Sequence, residues 1–219
     1  MNLHEAAENF RRATRHCDNL IKIHREYGGP SQGRRDEEVS INRAVVVLAV
    51  AAWQAVIQDY TRTCLDFSTP SPESPLSHTS YSLLAGRVKN EIERFSTPNA
   101  ENVRRLMQDA GFDPRPYWTW KQSGGQGQGI RTWSPADAHE RINEWLLVRH
   151  SIAHGHATLA RVTALQSVRN NQKNPPRDPT LRLVDAEQCL TFFRRLAQLT
   201  GGGLASHLGV SFEWREVQQ

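Results

Sequence analysis

The chain has 219 residues, 38% of them hydrophobic and 23% charged, which is enough for one sizeable domain with a buried core. Its mean hydropathy of −0.61 indicates polar loops. Lysine and arginine exceed aspartate and glutamate by four, and the pI is near 9.2. This mild basic bias is compatible with a nucleic-acid partner but does not predict one by itself.

Cysteine usage and the apolar segments indicate the compartment. The three cysteines are far apart and lack metal-ligand spacing, so we expect a reduced interior without disulfides: Cys17, Cys64 and Cys189. The charged, amphipathic segment Met1–Arg15 does not resemble a signal peptide. The apolar run Ala44–Ala52 is shorter than the roughly 18 residues that a bilayer requires. We therefore expect a cytoplasmic protein.

Two long helices are predicted first. One extends from about Leu3 to Tyr27 and is ended by Gly28-Gly-Pro30. Its basic side chains fit a solvated face better than a nucleic-acid contact: Arg11, Arg12, Arg15, His16, His24 and Arg25. The second extends from about Glu37 to Asp66 and is apolar nearly all round, which predicts the central position in a bundle.

Proline-rich segments separate the next helices. Ser68–Pro75 contains three prolines and predicts a loop. A third helix is expected near His78 to Phe95. Thr97-Pro-Asn then opens a short fourth helix that ends at Ala110.

The segment from Asp113 to Trp133 predicts a long loop. Its glycine run, Gly124–Gly129, lacks the ending of a phosphate-binding loop and the preceding strand. The tryptophans are expected to fix this loop to the core, and base stacking on exposed indoles is the alternative. They are Trp118, Trp120 and Trp133.

A further helix has clear limits. Ser134 is a good N-cap residue, Pro135 suits the first helical position, and Gly155 suits a left-handed C-cap. Its apolar stripe contains Ala138, Ile142, Trp145, Leu146, Ile152 and Ala153. Arg149 projects into the same stripe. The flank beside it carries Asn143, His150 and His154.

An arginine in an apolar stripe needs a partner, because an unpaired buried charge is costly. Either a core carboxylate pairs with Arg149, or the guanidinium binds an anion such as phosphate. Three histidines within seven positions, His150, His154 and His156, favour chemistry over structure. A zinc or nickel site on these histidines is the alternative, although no carboxylate is placed to complete it.

The remaining chain predicts polar loop and one more helix. Ala157 to Val168 fits either a helix or a short extended segment, and Asn170–Pro179 is loop. The last helix is expected from Asp185, with Gln188 completing a capping box, to about Gln198. Gly201-Gly-Gly203 is expected to break it before a short piece containing Trp214.

No internal repeat or convincing break divides the chain. We expect one all-α domain over residues 1–219, with long polar loops. Within it, an N-terminal helix and linker cover 1–36, a core bundle covers 37–199, and a C-terminal tail covers 200–219.

Two stretches resemble a known family. Arg149-x-x-x-x-His154, with His150 after the arginine and Gly155 after the histidine, resembles the signature of HEPN-domain ribonucleases. Asn42–Asp59 is similar to the apolar helix that precedes the catalytic helix in the RiboL-PSP and MAE-type branches. Both stretches together cover less than a fifth of the chain.

The resemblance implies a HEPN-like helical bundle that dimerises and brings two motifs face to face. Family members are metal-independent endoribonucleases of toxin–antitoxin and phage-defence systems, and their products carry 2′,3′-cyclic phosphate and 5′-hydroxyl ends. By resemblance, His154 is the general base or acid and Arg149 holds the phosphate. His150 and Asn143 would orient or contact the substrate.

The implied partners are RNA, a second copy of the chain, and an antitoxin or defence-system protein, with no cofactor or metal. A non-catalytic dimer that binds RNA or protein is the alternative, since inactive relatives exist. Two positions depart from the family pattern. His156 stands where relatives controlled by nucleotidyltransferase antitoxins carry tyrosine, and Gln54 stands where many relatives have an acidic residue.

Overall fold

A computed structural model describes residues 2–27, 36–70, 75–123 and 129–214. It is mostly helical, which confirms the predicted all-α class. The elements in chain order are α1 (Leu3–Tyr27), α2 (Asp36–Phe67), α3 (Pro75–Arg94), α4 (Ala100–Asp109), a 3₁₀ turn (Arg115–Tyr117), β1 (Trp120–Ser123), β2 (Ile130–Trp133), α5 (Pro135–Ala153), α6 (Gln166–Arg169) and α7 (Leu183–Leu208). The predicted stop at Gly28–Pro30 and most of the Gly124–Gly129 run lie outside the described residues.

Helix α2 occupies the centre of the bundle, as predicted. It packs against α1, α7, α5, α3 and α4, and its side chains are buried on several sides, among them Val45, Trp53, Ile57 and Tyr60. Burial of this much apolar surface is the main stabilising term of such a core.

Helix α2 is apolar over a longer stretch than the run Ala44–Ala52. By length and composition this helix could cross a membrane, because its apolar character extends well beyond Ala44–Ala52. Half of its most apolar window is buried inside the protein, and the core helix of a soluble protein passes the same test. The finding is therefore weak support for a membrane span.

The predicted break at the three consecutive glycines is wrong. α7 continues through Gly201–Gly203 to Leu208, and Gly209 then ends it in a left-handed conformation with φ of 66°. A Cβ on Gly203 would lie 2.4 Å from Cγ of Tyr117, and one on Gly201 would lie 2.5 Å from the Tyr60 hydroxyl. The close approach of these two tyrosine rings requires glycine, so the helix continues despite the low helix propensity of glycine. The proposed boundary at residue 199 falls inside α7.

The segment Asp113–Trp133 is not only loop. Strands β1 and β2 form an antiparallel hairpin with Trp120 opposite Trp133, and these two indoles stack at 4.8 Å between ring centroids. Trp118 is fully buried and donates a hydrogen bond from Nε1 to the Thr200 hydroxyl at 3.0 Å. The prediction that tryptophans hold this segment against the core is thus confirmed. The strands went unpredicted because four-residue strands give little periodic signal.

The predicted start of the last helix is also wrong. α7 begins at Leu183, and the buried Asp185 carboxylate accepts hydrogen bonds from the backbone N–H groups of Arg182 (2.9 Å) and Gln166 (2.7 Å). Gln188 completes no capping box and instead accepts from Arg169. Asp185 therefore joins the first residue of α6 to the beginning of α7.

Candidate functional site

Helix α5 begins and ends as its sequence predicts. At its start the backbone N–H of Ser134 donates to Asp137 (2.8 Å), and the N–H of Asp137 donates to the Ser134 hydroxyl (3.2 Å). At its end Gly155 has φ of 62°, and the N–H of His156 donates to the carbonyl of Ser151 at 3.0 Å. This C-terminal hydrogen-bond pattern turns the chain back and fixes His156 beside the last helical turn.

Three imidazoles lie side by side at this end of α5. The ring centroids of His150 and His154 are 6.0 Å apart, and those of His154 and His156 are 5.9 Å apart, with the latter two rings stacked. We call these three residues the histidine row. His154 and His156 are exposed and His150 is half-buried, so the row is open to solvent.

His150 differs from an ordinary histidine in its protonation. Its pKa is lowered from 6.5 by partial burial, by the neighbouring Arg149 guanidinium and by His154. Each of these influences disfavours the charged imidazolium. His150 is therefore predominantly neutral at neutral pH and can accept a proton.

Arg149 is half-buried, and the predicted apolar stripe of α5 does not continue as a buried face beyond it, because Ile152 is half-buried and Ala153 is exposed. Ile142, Trp145 and Leu146 of the same stripe are buried one and two turns earlier. Within the described part of the chain, the Arg149 guanidinium forms no hydrogen bond and no ion pair. The structural alternative, a salt bridge to a core carboxylate, is thus not seen among these residues.

Arg149 and His154 leave the helix in different directions. Five residues at about 100° each place their side chains roughly 140° apart around the α5 axis. Asn143, His150 and His154 share one flank, together with Leu147, which is 51% exposed. One chain therefore brings the histidines together, but it does not bring Arg149 against His154.

Asn143 and Gln54 have structural partners. The Asn143 side-chain oxygen accepts a hydrogen bond from the backbone N–H of Ala100 (3.1 Å), which links α5 to the start of α4. Gln54 donates from Nε2 to the Phe95 carbonyl at 2.7 Å, which links α2 to the end of α3. Both polar side chains hold neighbouring elements in place.

Glu144 was missed from the sequence and organises the chain after the site. Its buried carboxylate accepts from the backbone N–H (2.6 Å) and the hydroxyl (2.8 Å) of Thr163, and it pairs with Arg141 Nε at 3.0 Å. The segment after the histidine row is therefore held against α5. The only sequence signal was an acidic residue among apolar ones.

This returning segment carries excess positive charge. Residues 155–182 contain five basic side chains and one acidic side chain, Asp178. The exposed basic residues are Arg161, Lys173, Arg177 and Arg182. Such a segment next to the histidine row suits an anionic polymer better than a neutral ligand.

Among the described residues, no three histidine, cysteine, aspartate or glutamate side chains are grouped so that they could hold a metal ion. Two surface cavities, one at the start of α1 and one between α3 and α4, include none of Arg149, His150, His154 and His156.

Comparison with known proteins does not assign the chain to a group. No family model matches it, and neither does any curated protein or solved structure.

Proposed function

We propose that the protein is a metal-independent endoribonuclease whose site combines the histidine row with Arg149. One observation carries the proposal: three neighbouring imidazoles, two exposed and one half-buried, lie at the end of the helix that also carries a half-buried arginine without a partner among the described residues. The cationic segment after the row and the resemblance to HEPN-domain ribonucleases support it.

The proposed reaction needs only groups that the chain carries. The RNA 2′-oxygen attacks the adjacent phosphorus, its proton passes to an imidazole, and the bond from phosphorus to the 5′-oxygen breaks. A second imidazole returns a proton to that 5′-oxygen. Arg149 holds the phosphoryl oxygens, on which negative charge increases. The products are a 2′,3′-cyclic phosphate and a 5′-hydroxyl end.

The site is proposed to be completed by a second copy of the chain. Because Arg149 and His154 diverge within one subunit, a symmetric dimer would allow Arg149 of one copy to approach the His154 of the other. The exposed Leu147 on the histidine flank offers apolar surface for such a contact. Asn143 and His150 would border the bound RNA, and a role in toxin–antitoxin or phage-defence systems follows from the resemblance alone.

The decisive experiment incubates total RNA with the purified protein in EDTA and identifies the new ends. We expect cleavage of RNA but not of DNA, since DNA lacks the 2′-hydroxyl. His154→Ala and Arg149→Ala should each lower the rate by about a hundredfold or more. Arg12→Gln, an exposed change on α1, is the matched control and should cleave at the wild-type rate.

Mixing the two inactive variants tests the shared site. Heterodimers of His154→Ala and Arg149→Ala contain one intact pair if each site takes arginine and histidine from different subunits. Partial recovery of cleavage is then expected. Wild-type rates in both single variants, or cleavage lost in EDTA, would refute the assignment.

A second candidate is a non-catalytic dimer that binds RNA or protein. Two surface cavities among the described residues lie away from the histidine row, which favours this candidate because substrates usually enter concave sites. RNA that binds tightly but stays intact after long incubation with the folded dimer would select this candidate.

A further inference from the structure

A second group of cations lies outside the histidine row. A cavity of about 540 Å³ opens between the C-terminal part of α3, residues 95–97 and α4. Three arginines line it, Arg87 and Arg94 from α3 and Arg105 from α4. We call it the arginine cavity. Its volume is within the range of small-molecule sites.

Several hydrogen-bond donors in this cavity are unused. Within the described part of the chain, the exposed guanidinium groups of Arg94 and Arg105 form no hydrogen bond or ion pair. The hydroxyl groups of Ser96 and Thr97, which also line the cavity, form none there either. A ligand that accepts several hydrogen bonds and carries negative charge would satisfy all four groups.

Two backbone carbonyls at the end of α3, that of Phe95 in the cavity lining and that of Ile92 one turn earlier, already accept hydrogen bonds. The carbonyls of Ile92 and Phe95 at the end of α3 accept from the side chains of Gln58 (2.6 Å) and Gln54 (2.7 Å). Carbonyl groups at the C-terminus of a helix carry partial negative charge. Their occupation by two α2 glutamines therefore makes the cavity more favourable for an anion.

Two carboxylates also line the cavity and must be accounted for. Glu91 pairs with Arg87 at 3.4 Å, and Asp109 lies close enough to Glu91 for a hydrogen bond between the two side chains. Burial and this neighbouring carboxylate raise the pKa of Asp109, against the smaller opposing influence of the Arg87 and Arg105 charges. The pair therefore retains a proton more readily than two separate carboxylates, and three arginines leave the cavity with net positive charge.

We propose that the arginine cavity binds a phosphate group, with Arg94 and Arg105 holding its oxygens and the Ser96 and Thr97 hydroxyls donating to them. The planar guanidinium fork matches two phosphate oxygens at once. This binding is independent of the histidine row. The phosphate belongs either to a free mononucleotide or to the backbone of an RNA strand.

Titration calorimetry on the full chain tests the site and separates the two sources. The probes are inorganic phosphate, adenosine monophosphate, adenosine without phosphate, and a single-stranded RNA oligonucleotide added to the His154→Ala variant. We expect the phosphate-bearing probes to bind and adenosine not to bind. Oligonucleotide binding that is tighter than that of the monophosphate and that depends on Arg94 and Arg105 identifies the RNA backbone as the source, and tighter binding of the monophosphate identifies a mononucleotide.

The double variant Arg94→Gln/Arg105→Gln should weaken the binding of inorganic phosphate and of adenosine monophosphate at least tenfold. Both residues are exposed, and glutamine keeps the helix propensity similar. Lys89→Gln, an exposed change on α3 outside the cavity lining, is the matched control and should bind like wild type. Equal binding by wild type and double variant, or no binding of any phosphate-bearing probe to wild type, overturns the proposal.

Cleavage assays distinguish a failure of this proposal from a failure of the ribonuclease proposal. The double variant should still cleave a dinucleotide, because this substrate is too short to reach the histidine row and the arginine cavity at once. If no variant cleaves RNA but phosphate binding depends on Arg94 and Arg105, the ribonuclease proposal fails while the arginine cavity stands.

Discussion

At the scale of single residues, the surroundings of His150 determine its protonation. Burial, Arg149 and His154 all lower its pKa from 6.5. A lowered histidine pKa means that the neutral ring persists to more acidic pH, and the ability to accept a proton is lost only as pH falls through that lower value. With His150 as the base of the proposed reaction, the cleavage rate should begin to fall on acidification only below pH 6.5.

This leads to a prediction that does not depend on catalysis. Arg149→Gln removes one of the three influences on His150, so the His150 pKa should rise toward 6.5. Titration of the His150 ring signals by nuclear magnetic resonance measures it. Arg12→Gln on α1 should leave the His150 pKa as in wild type. An unchanged or lower pKa in Arg149→Gln would show that the arginine does not act on this ring.

At the scale of the element, the glycines of α7 show how packing overrides local preference. Gly203 lies under the Tyr117 ring, whereas an added Cβ on Gly202 meets nothing within 4 Å. The two positions are adjacent in one helix and differ only in their surroundings. They form a matched pair for mutation.

Alanine at these two positions should have opposite effects on stability. Gly202→Ala should raise the free energy of unfolding by about 0.5–1 kcal/mol, because alanine favours the helix more than glycine does and its methyl group meets no other atom within 4 Å. Gly203→Ala should lower it by about 1–3 kcal/mol, because the methyl group collides with Tyr117. Urea denaturation of both variants measures the changes. Shifts of the same sign would contradict the packing described for α7.

At the scale of the whole molecule, the cysteines report on the packing of three helices. Cys17 in α1, Cys64 in α2 and Cys189 in α7 are all buried and free. Burial raises the pKa of Cys17 to about 12 and also raises the pKa of Cys64 and of Cys189. Thiols in this state are protonated and unreactive.

A thiol-reactive dye should therefore label none of the three cysteines in the native protein and all three in denaturant. Gln122→Cys, on the exposed part of β1, provides the control and should react at once in the native state. Rapid labelling of a native cysteine would mean that α1, α2 and α7 do not pack as described.

The same scale shows how much of the fold was predictable. α1, α2 and α5 were predicted within about one residue at each described end, because capping residues and apolar periodicity are local signals. The hairpin and the continuous α7 were not, since each depends on distant partners, Trp120 with Trp133 and Gly203 with Tyr117. At the candidate site, Gly155 predicted the end of α5, where His150 and His154 lie. The role of Glu144 depended on Thr163, 19 residues later.

The sequence by itself therefore determined the helical class, the central position of α2, and the capped helix that ends in the histidine row. These follow from contacts within a few residues along the chain. Only the tertiary structure decided that α7 continues through its glycines beneath Tyr117, that Glu144 holds Thr163 against α5, and that three arginines line one cavity between α3 and α4. The physical reason is that directions and distances between side chains on different turns and helices depend on how the helices pack, which no short stretch of sequence encodes.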